Sequence, residues 1–232
     1  MKKSVKILSI ILALVIVVGC FAACGGNKEE AKTTLVMATN AEFPPYEYVE
    51  EGKIVGIDAE IAALIADKLG MELQIVDVAF DSIIPGVQSG KYDMGMAGLT
   101  VNDERLEKVN FSTSYAKGVQ VVIIPENSDI KSLDDISGKK IGVQTSTTGD
   151  IYATGDFGEE AITRYDNGAV AVQALVAGKV DCVIIDNEPA KSYVAANAGL
   201  KILETEYAVE DYAICFNKED TELQEKVDAA LK

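Results

Sequence analysis

Short apolar runs alternate along the chain with stretches whose apolar positions recur at helical spacing. Leu35-Val-Met-Ala-Thr39 reads as a buried strand, and Asn40-Ala-Glu-Phe-Pro-Pro-Tyr46, with its two prolines, as an irregular loop. Ile57, Ile61, Leu64, Ile65 and Leu69 share one helical stripe, which Gly70 is placed to end. Leu73–Val78 is the next strand, followed by Phe80, an Asp81-Ser82 start and a short helix Ile83–Gln88 with Pro85 in its first turn. Tyr92-Asp-Met94 is strand-like, and Asp103–Val109 predicts a charged helix. The alternation argues for an α/β layered fold with a largely parallel sheet.

A second series follows the strand Val119–Ile124 and Pro125. Lys140–Gln144 is a strand, Thr145-Ser-Thr-Thr148 opens a helix, and Ala169–Ala177 is a helix leading to the strand Val180–Ile185. Asn187-Glu-Pro189 begins another helix, Asp211–Phe216 reads as a strand, and Leu223, Val227 and Leu231 mark a last helix. The halves echo each other: helix-Gly90-Lys-Tyr-Asp93-strand matches helix-Gly178-Lys-Val-Asp181-strand. Parallel sheets bind ligands at the carboxyl ends of their strands, so two such units predict two lobes with a cleft between them. Val119–Ile124 and Tyr212–Phe216 read as the crossovers, placing lobe 1 at 33–118 with 214–232 and lobe 2 at 122–208. Two antiparallel hinge strands permit closure without disturbing either core.

The stretch Gly95–Arg105 carries the candidate chemistry. Ala97 and Gly98 have almost no side chain where a strand should end, so their main-chain groups can touch a ligand. Thr100 adds a hydroxyl and Arg105 a five-donor fork suited to a carboxylate. Alternatively, Arg105 lies on a solvated helix beside Asp103, Glu104 and Glu107. Asp186 can take an ammonium with help from the Gly98 carbonyl, or serve only as the cap of the helix that follows it. The helix start at Thr147-Thr148 offers free N–H groups to a carboxylate, or is a capped end with no ligand. Phe43 and Phe80, in loops after strands, are either walls for a ligand side chain or core aromatics.

Charge and the first residues narrow the setting of the 232-residue chain. Lys2, Lys3 and Lys6 precede an apolar run Ile7–Val18 whose 12 residues fall short of the ~20 a membrane span needs, as in an export signal over residues 1–23. Val17-Val-Gly-Cys20 and Phe21-Ala-Ala-Cys24 both resemble a bacterial lipobox; Cys24 is the preferred site of acylation, with 24–32 as a polar tether to the membrane. Without residues 1–23 the 21 basic residues fall to 18 against 37 acidic ones, a net charge near −19, which argues against nucleic acid as a partner. The absence of His excludes a His-based triad, and with so few cysteines a zinc site as well. Cys182 and Cys215 either pair or stay as buried thiols.

Glu42-Phe-Pro-Pro-Tyr-Glu-Tyr48, Gly56-Ile-Asp58, Phe80-Asp-Ser-Ile-Ile-Pro85, Gly90-Lys-Tyr-Asp93, Ala97-Gly-Leu-Thr100 with Asp103-Glu-Arg105, Val143-Gln-Thr-Ser-Thr-Thr148 and Asp181-Cys-Val-Ile-Ile-Asp186 together resemble the polar amino-acid-binding lipoproteins of ABC importers. The resemblance covers about residues 33–231. It implies the type II periplasmic-binding-protein fold, no cofactor, no catalysis, a monomer outside the cytoplasm held by a lipid anchor, and delivery of an amino acid to an ABC permease. It implies that Arg105, Thr100 and the Thr148 amide hold the carboxylate, Asp186 and Gly98 the ammonium, and Phe43 and Phe80 the side chain, with Asn40 and Gln144 at its polar end. Asn40 stands where many relatives have Asp, and Glu42 is a candidate replacement for that charge. Ser146 replaces the usual Gly of the turn, and relatives continue past Lys232 into a final helix. Rival readings are a cyclohexadienyl or arogenate dehydratase-like enzyme using Glu42 or Glu188 as acid, and an amino-acid sensor or adhesin.

Overall fold

The computed structural model describes residues 33–203 and 205–232. The export signal, the tether and both lipobox cysteines lie outside the described residues.

In chain order the first elements are β1 (Thr34–Thr39), β2 (Glu42–Phe43), β3 (Glu47–Glu50), β4 (Lys53–Val55), α1 (Ile57–Leu69), β5 (Glu72–Asp77), α2 (Ile83–Gln88), β6 (Met94–Gly95), α3 (Asp103–Lys108) and β7 (Asn110–Phe111). There follow β8 (Ala116–Pro125), β9 (Ile141–Gln144), α4 (Thr148–Phe157), β10 (Ile162–Tyr165), α5 (Gly168–Val176), β11 (Cys182–Asp186), α6 (Asn187–Ala196) and β12 (Leu200–Ile202). The chain closes with β13 (Ala208–Tyr212), β14 (Cys215–Phe216) and α7 (Thr221–Leu231).

Two sheets organise these elements, in the orders β5-β1-β6-β14-β7 and β10-β9-β11-β8-β12, with β13 also on β8. The pairs β1–β5, β1–β6, β9–β10 and β9–β11 are parallel. Each sheet is nevertheless mixed, because β8 and β14 run back against their neighbours. Val119–Ile124 therefore lies inside the second sheet, and the stretch read as one strand at Asp211–Phe216 is two. It breaks at Ala213-Ile214, where the chain leaves β8 for β6 and β7.

The two halves repeat the same joint. Gly90 (φ 71°) and Gly178 (φ 66°) adopt the left-handed conformation that ends α2 and α5. Lys91 N–H returns to the Gly86 carbonyl at 3.0 Å and Lys179 N–H to Ala174 at 2.9 Å. Asp93 then accepts from Val36 N–H at 2.8 Å and Asp181 from Lys140 N–H at 2.8 Å, so each aspartate ties the start of its strand to a neighbouring one.

Alternating side chains of β8 serve both faces of the second sheet: Val121 and Ile123 meet Leu175 and Val183, while Val122 and Ile124 meet Ile141 and Ile184. In the first sheet Leu35, Met37 and Met94 pack beneath α1 and α7, and Ala38, Leu99 and Cys215 beneath α2. A fully buried aliphatic side chain contributes roughly 1.5–3 kcal/mol. The stripe that α1 buries is Ala59, Ala62, Ile65 and Ala66, whereas Leu64 is 66% exposed. Cys182 and Cys215 are free buried thiols in different sheets, both pushed up to about 12 by burial. The Glu42–Tyr46 loop is not irregular throughout, since Glu42-Phe43 pairs with Glu47-Tyr48 in a small sheet β2-β3-β4.

Candidate functional site

The loops after β1 and β6 face the starts of α4 and α6 across a narrow cleft. One cavity there is lined by all ten residues singled out as ligand contacts: Asn40, Phe43, Phe80, Ala97 and Gly98, then Thr100, Arg105, Gln144, Thr148 and Asp186. Glu47 and Thr147 complete its wall. Its volume of about 20 Å³ is room for little more than a water molecule, so the lobes are drawn together here.

Arg105 is buried rather than solvated, because it is the inward residue of α3. Asn102 caps that helix by accepting from the Arg105 N–H at 2.8 Å, which sets the side chain's direction. Its Nη1 donates to the Thr100 carbonyl at 2.9 Å, and its Nη2 crosses the cleft to the Ser146 carbonyl at 3.2 Å. The guanidinium carbon lies 5.5 Å from the centre of the Phe80 ring, a cation–π distance. Burial lowers the guanidinium's pKa, and the fields of Glu210, Cys215 and Asp186 oppose that shift.

Gly98 adopts φ 53°, and a Cβ there would come within 2.9 Å of the Phe43 ring. Glycine alone lets backbone approach the cleft at this point. The Gly98 N–H donates to Asp58 at 3.1 Å.

From the second lobe, Thr147 caps α4 by accepting from Asp150 N–H at 3.3 Å, and Thr148 brings its hydroxyl to 3.5 Å from that of Thr100. Ser146 holds φ 64°, the left-handed conformation that glycine adopts most readily, and its N–H donates to Asp150 at 3.0 Å. Gln144 donates to Asn40 across the cleft at 2.9 Å, and Asn40 donates to the Val78 carbonyl at 3.0 Å.

Asp186 occupies the capping position of α6 yet makes no side-chain cap. Its carboxyl accepts from the Tyr212 hydroxyl instead. Burial first, and the charge of Glu210 next, push it up to about 7. Glu210 accepts from Gln120 at 3.0 Å, and Gln120 also reaches Thr148 at 3.4 Å.

Sequence reasoning passed over a second acidic group. Glu47 and Asp58 are both fully buried. Asp58 Oδ2 accepts from Gly98 N–H and, at 2.9 Å, from the Tyr115 hydroxyl. Among the described residues no donor reaches either oxygen of Glu47 or the Oδ1 of Asp58. The two carboxyls lie against each other, and a hydrogen bond between them needs a proton on one. Glu47 opens β3 opposite Phe43 of β2, and this pairing sets it in the cavity wall. Glu42 is exposed and does not line the cavity: its carboxyl hydrogen-bonds Asn167, and its carbonyl accepts from the Tyr193 hydroxyl at 2.8 Å. Glu188 is tied to Lys191 at 2.6 Å and does not line the cavity.

The family model for bacterial extracellular solute-binding proteins, family 3, matches residues 35–232. The arginine-binding extracellular protein ArtP of Bacillus subtilis is 32% identical over 94% of this chain and 90% of its own length. The arginine-bound form of a truncated ArgBP from T. maritima superposes with a TM-score of 0.82 at 38% identity, over 86% of this chain and 95% of that one. The arginine-, lysine-, histidine-binding protein ArtJ of Geobacillus stearothermophilus gives 0.81 at 36% identity, over 85% and 87%. These matches establish the two-lobed periplasmic-binding-protein architecture.

Proposed function

The chain belongs to the bacterial extracellular solute-binding proteins, family 3, a family of binding proteins rather than enzymes, and from that membership we propose that its cleft captures one polar amino acid as a zwitterion. The observation that carries this reading is a single cavity that brings the Arg105 guanidinium and the Asp186 carboxyl together from facing lobes. Arg105, Thr100 and the Thr148 N–H take the carboxylate, and Asp186 with the Gly98 carbonyl takes the ammonium. Phe43 and Phe80 flank the side chain, beside Ala97, while Asn40 and Gln144 meet its polar end.

The lobes, 33–118 with 214–232 and 122–208, part and close about the antiparallel pair Ala116–Gln120 and Ala208–Tyr212. Arg105 Nη2 already bonds the Ser146 carbonyl across the cleft. A carboxylate is the stronger acceptor, so the ligand exchanges that self-contact for a charge-assisted one and favours the closed state. Working as a monomer anchored outside the cytoplasm by acylated Cys24, the protein hands its amino acid to an ABC permease.

A thermal-shift screen of the twenty amino acids with cystine and ornithine tests this. A subset raising the melting temperature is expected, since a ligand that binds only the folded form stabilises it. No shift with any of them would remove the zwitterion from the cleft.

A further inference from the structure

We propose that Arg164 is a positioning residue for the carboxylate end of the cleft: through Asp150 it fixes the left-handed turn at Ser146, and with it the Thr148 N–H that meets the ligand. This rests on the zwitterion reading above and names what holds that end of the site in shape. Thr148 opens α4, so no helical bond uses its N–H, and the residue before the helix cap is Ser146 at φ 64°. A residue with a Cβ takes that conformation at a cost, so the turn relaxes unless something outside it intervenes. Asp150 intervenes. In a capping box the third helical residue reaches back to the N–H of the cap, here Thr147. The Asp150 carboxyl instead goes one residue further and accepts from the Ser146 N–H at 3.0 Å, while its own N–H donates to the Thr147 hydroxyl at 3.3 Å.

Arg164 aims that carboxyl. Its Nε lies 3.0 and 2.9 Å from the two oxygens of the buried Asp150, and its Nη1 and Nη2 donate to the two oxygens of Glu159. Nη2 also donates to the Thr154 hydroxyl at 3.1 Å, and that hydroxyl donates to Asp150 at 3.1 Å. The guanidinium is thereby held on both sides, and it stands on a fixed base. Arg164 in β10 pairs with Val143 of β9, the strand that leads into the turn, and Thr145 N–H donates to the carbonyl of the adjacent Tyr165 at 3.0 Å. One strand therefore holds the turn at both ends, Tyr165 at its entry and Arg164, by way of Asp150, at its exit. Neither Arg164 nor Asp150 lines the small cavity; with Ser146 they line a neighbouring one of about 480 Å³. Contact with an amino acid in the cleft is thus left to the backbone that Arg164 holds, not to its guanidinium.

A double-mutant cycle separates this role from a purely structural one, because glycine adopts the left-handed turn without a brace. The amino acid of the thermal-shift panel that raises the melting temperature most serves as the probe, and calorimetry on the full chain reads its affinity. Arg164→Gln is expected to weaken binding about tenfold in the Ser146 chain and by no more than about threefold in the Ser146→Gly background. Loss of a positive charge, or a general loosening of the second lobe, would cost the same in both. Equal losses therefore overturn the proposal, as does no loss in either, and both results leave the zwitterion reading intact. Hydrogen exchange at the Ser146 amide, with no amino acid present, should quicken about tenfold or more in Arg164→Gln; unchanged protection overturns the proposal whatever binds. Absence of binding by every amino acid of the panel overturns the zwitterion reading and this proposal with it. If Arg164→Gln does not fold, Asp150→Asn, which gives up the charge that Arg164 grips, enters the same cycle with the same expectations.

Discussion

In the first lobe Gly90-Lys-Tyr-Asp93 turns the chain into a strand that reaches the cleft as bare backbone, Ala97 and Gly98, followed by a guanidinium. In the second, Gly178-Lys-Val-Asp181 makes the same turn with the same hydrogen bonds, and the strand reaches the cleft as a carboxyl, Asp186. The joint that sets each strand is thus independent of the chemistry displayed at its far end. How the helix after each strand is capped reinforces the contrast. Asn102 and Thr147 use their side chains to cap, whereas Asp186, at an equivalent position, caps nothing and keeps its carboxyl for Tyr212 and the cleft.

Arg105→Ala breaks this division of charge most severely. Each charge-assisted hydrogen bond contributes roughly 1.5–3 kcal/mol, so loss of two should weaken amino-acid binding about a hundredfold or more by calorimetry. Unchanged affinity would mean that the first lobe does not supply the positive partner. Asp186→Asn tests the opposite side. An amide still accepts from Tyr212, and a loss of about tenfold, or ~1.4 kcal/mol, is expected from the missing charge.

A third test uses acidity. Asp186, raised to about 7, and Asp58, raised to about 6, bind protons in the folded chain that the unfolded chain releases near pH 4. Folded-state stability should therefore rise as pH falls from 8 to about 5.5, by a few degrees in melting temperature. Asp186→Asn should flatten the upper part of that slope. A melting temperature that falls steadily over the same window would show that these carboxyls are not held protonated. The smallest effect is expected from Tyr193→Phe, which removes the 2.8 Å bond from α6 to the Glu42 carbonyl. About 1 kcal/mol is at stake, read by stopped flow chiefly as faster ligand release.

Much of this architecture was legible because it is carried by local signals: Gly70 (φ 67°) ending α1, the paired Gly-Lys-X-Asp joints, and Asn102 ahead of Arg105. The short hairpin at residues 47–55 was not, since two strands of four and three residues leave too little alternation to read. Nor was the break at Ala213-Ile214, because both residues are fully buried and the apolar run continues unbroken while the chain changes sheets. Ten of the twelve residues lining the cavity were legible, but Glu47 and, behind it, Asp58 were visible only as letters within a motif. Their meaning comes from two carboxyls brought together across the chain, a relation that no spacing encodes.

The bonds from Arg105 to Ser146 and from Gln144 to Asn40 join the lobes with the protein's own atoms. They act as a built-in competitor: whatever fraction of molecules shuts upon itself is withdrawn from capture, and the apparent dissociation constant rises in proportion. Strengthening the grip of the empty jaws would make a poorer scavenger, and loosening it a better one.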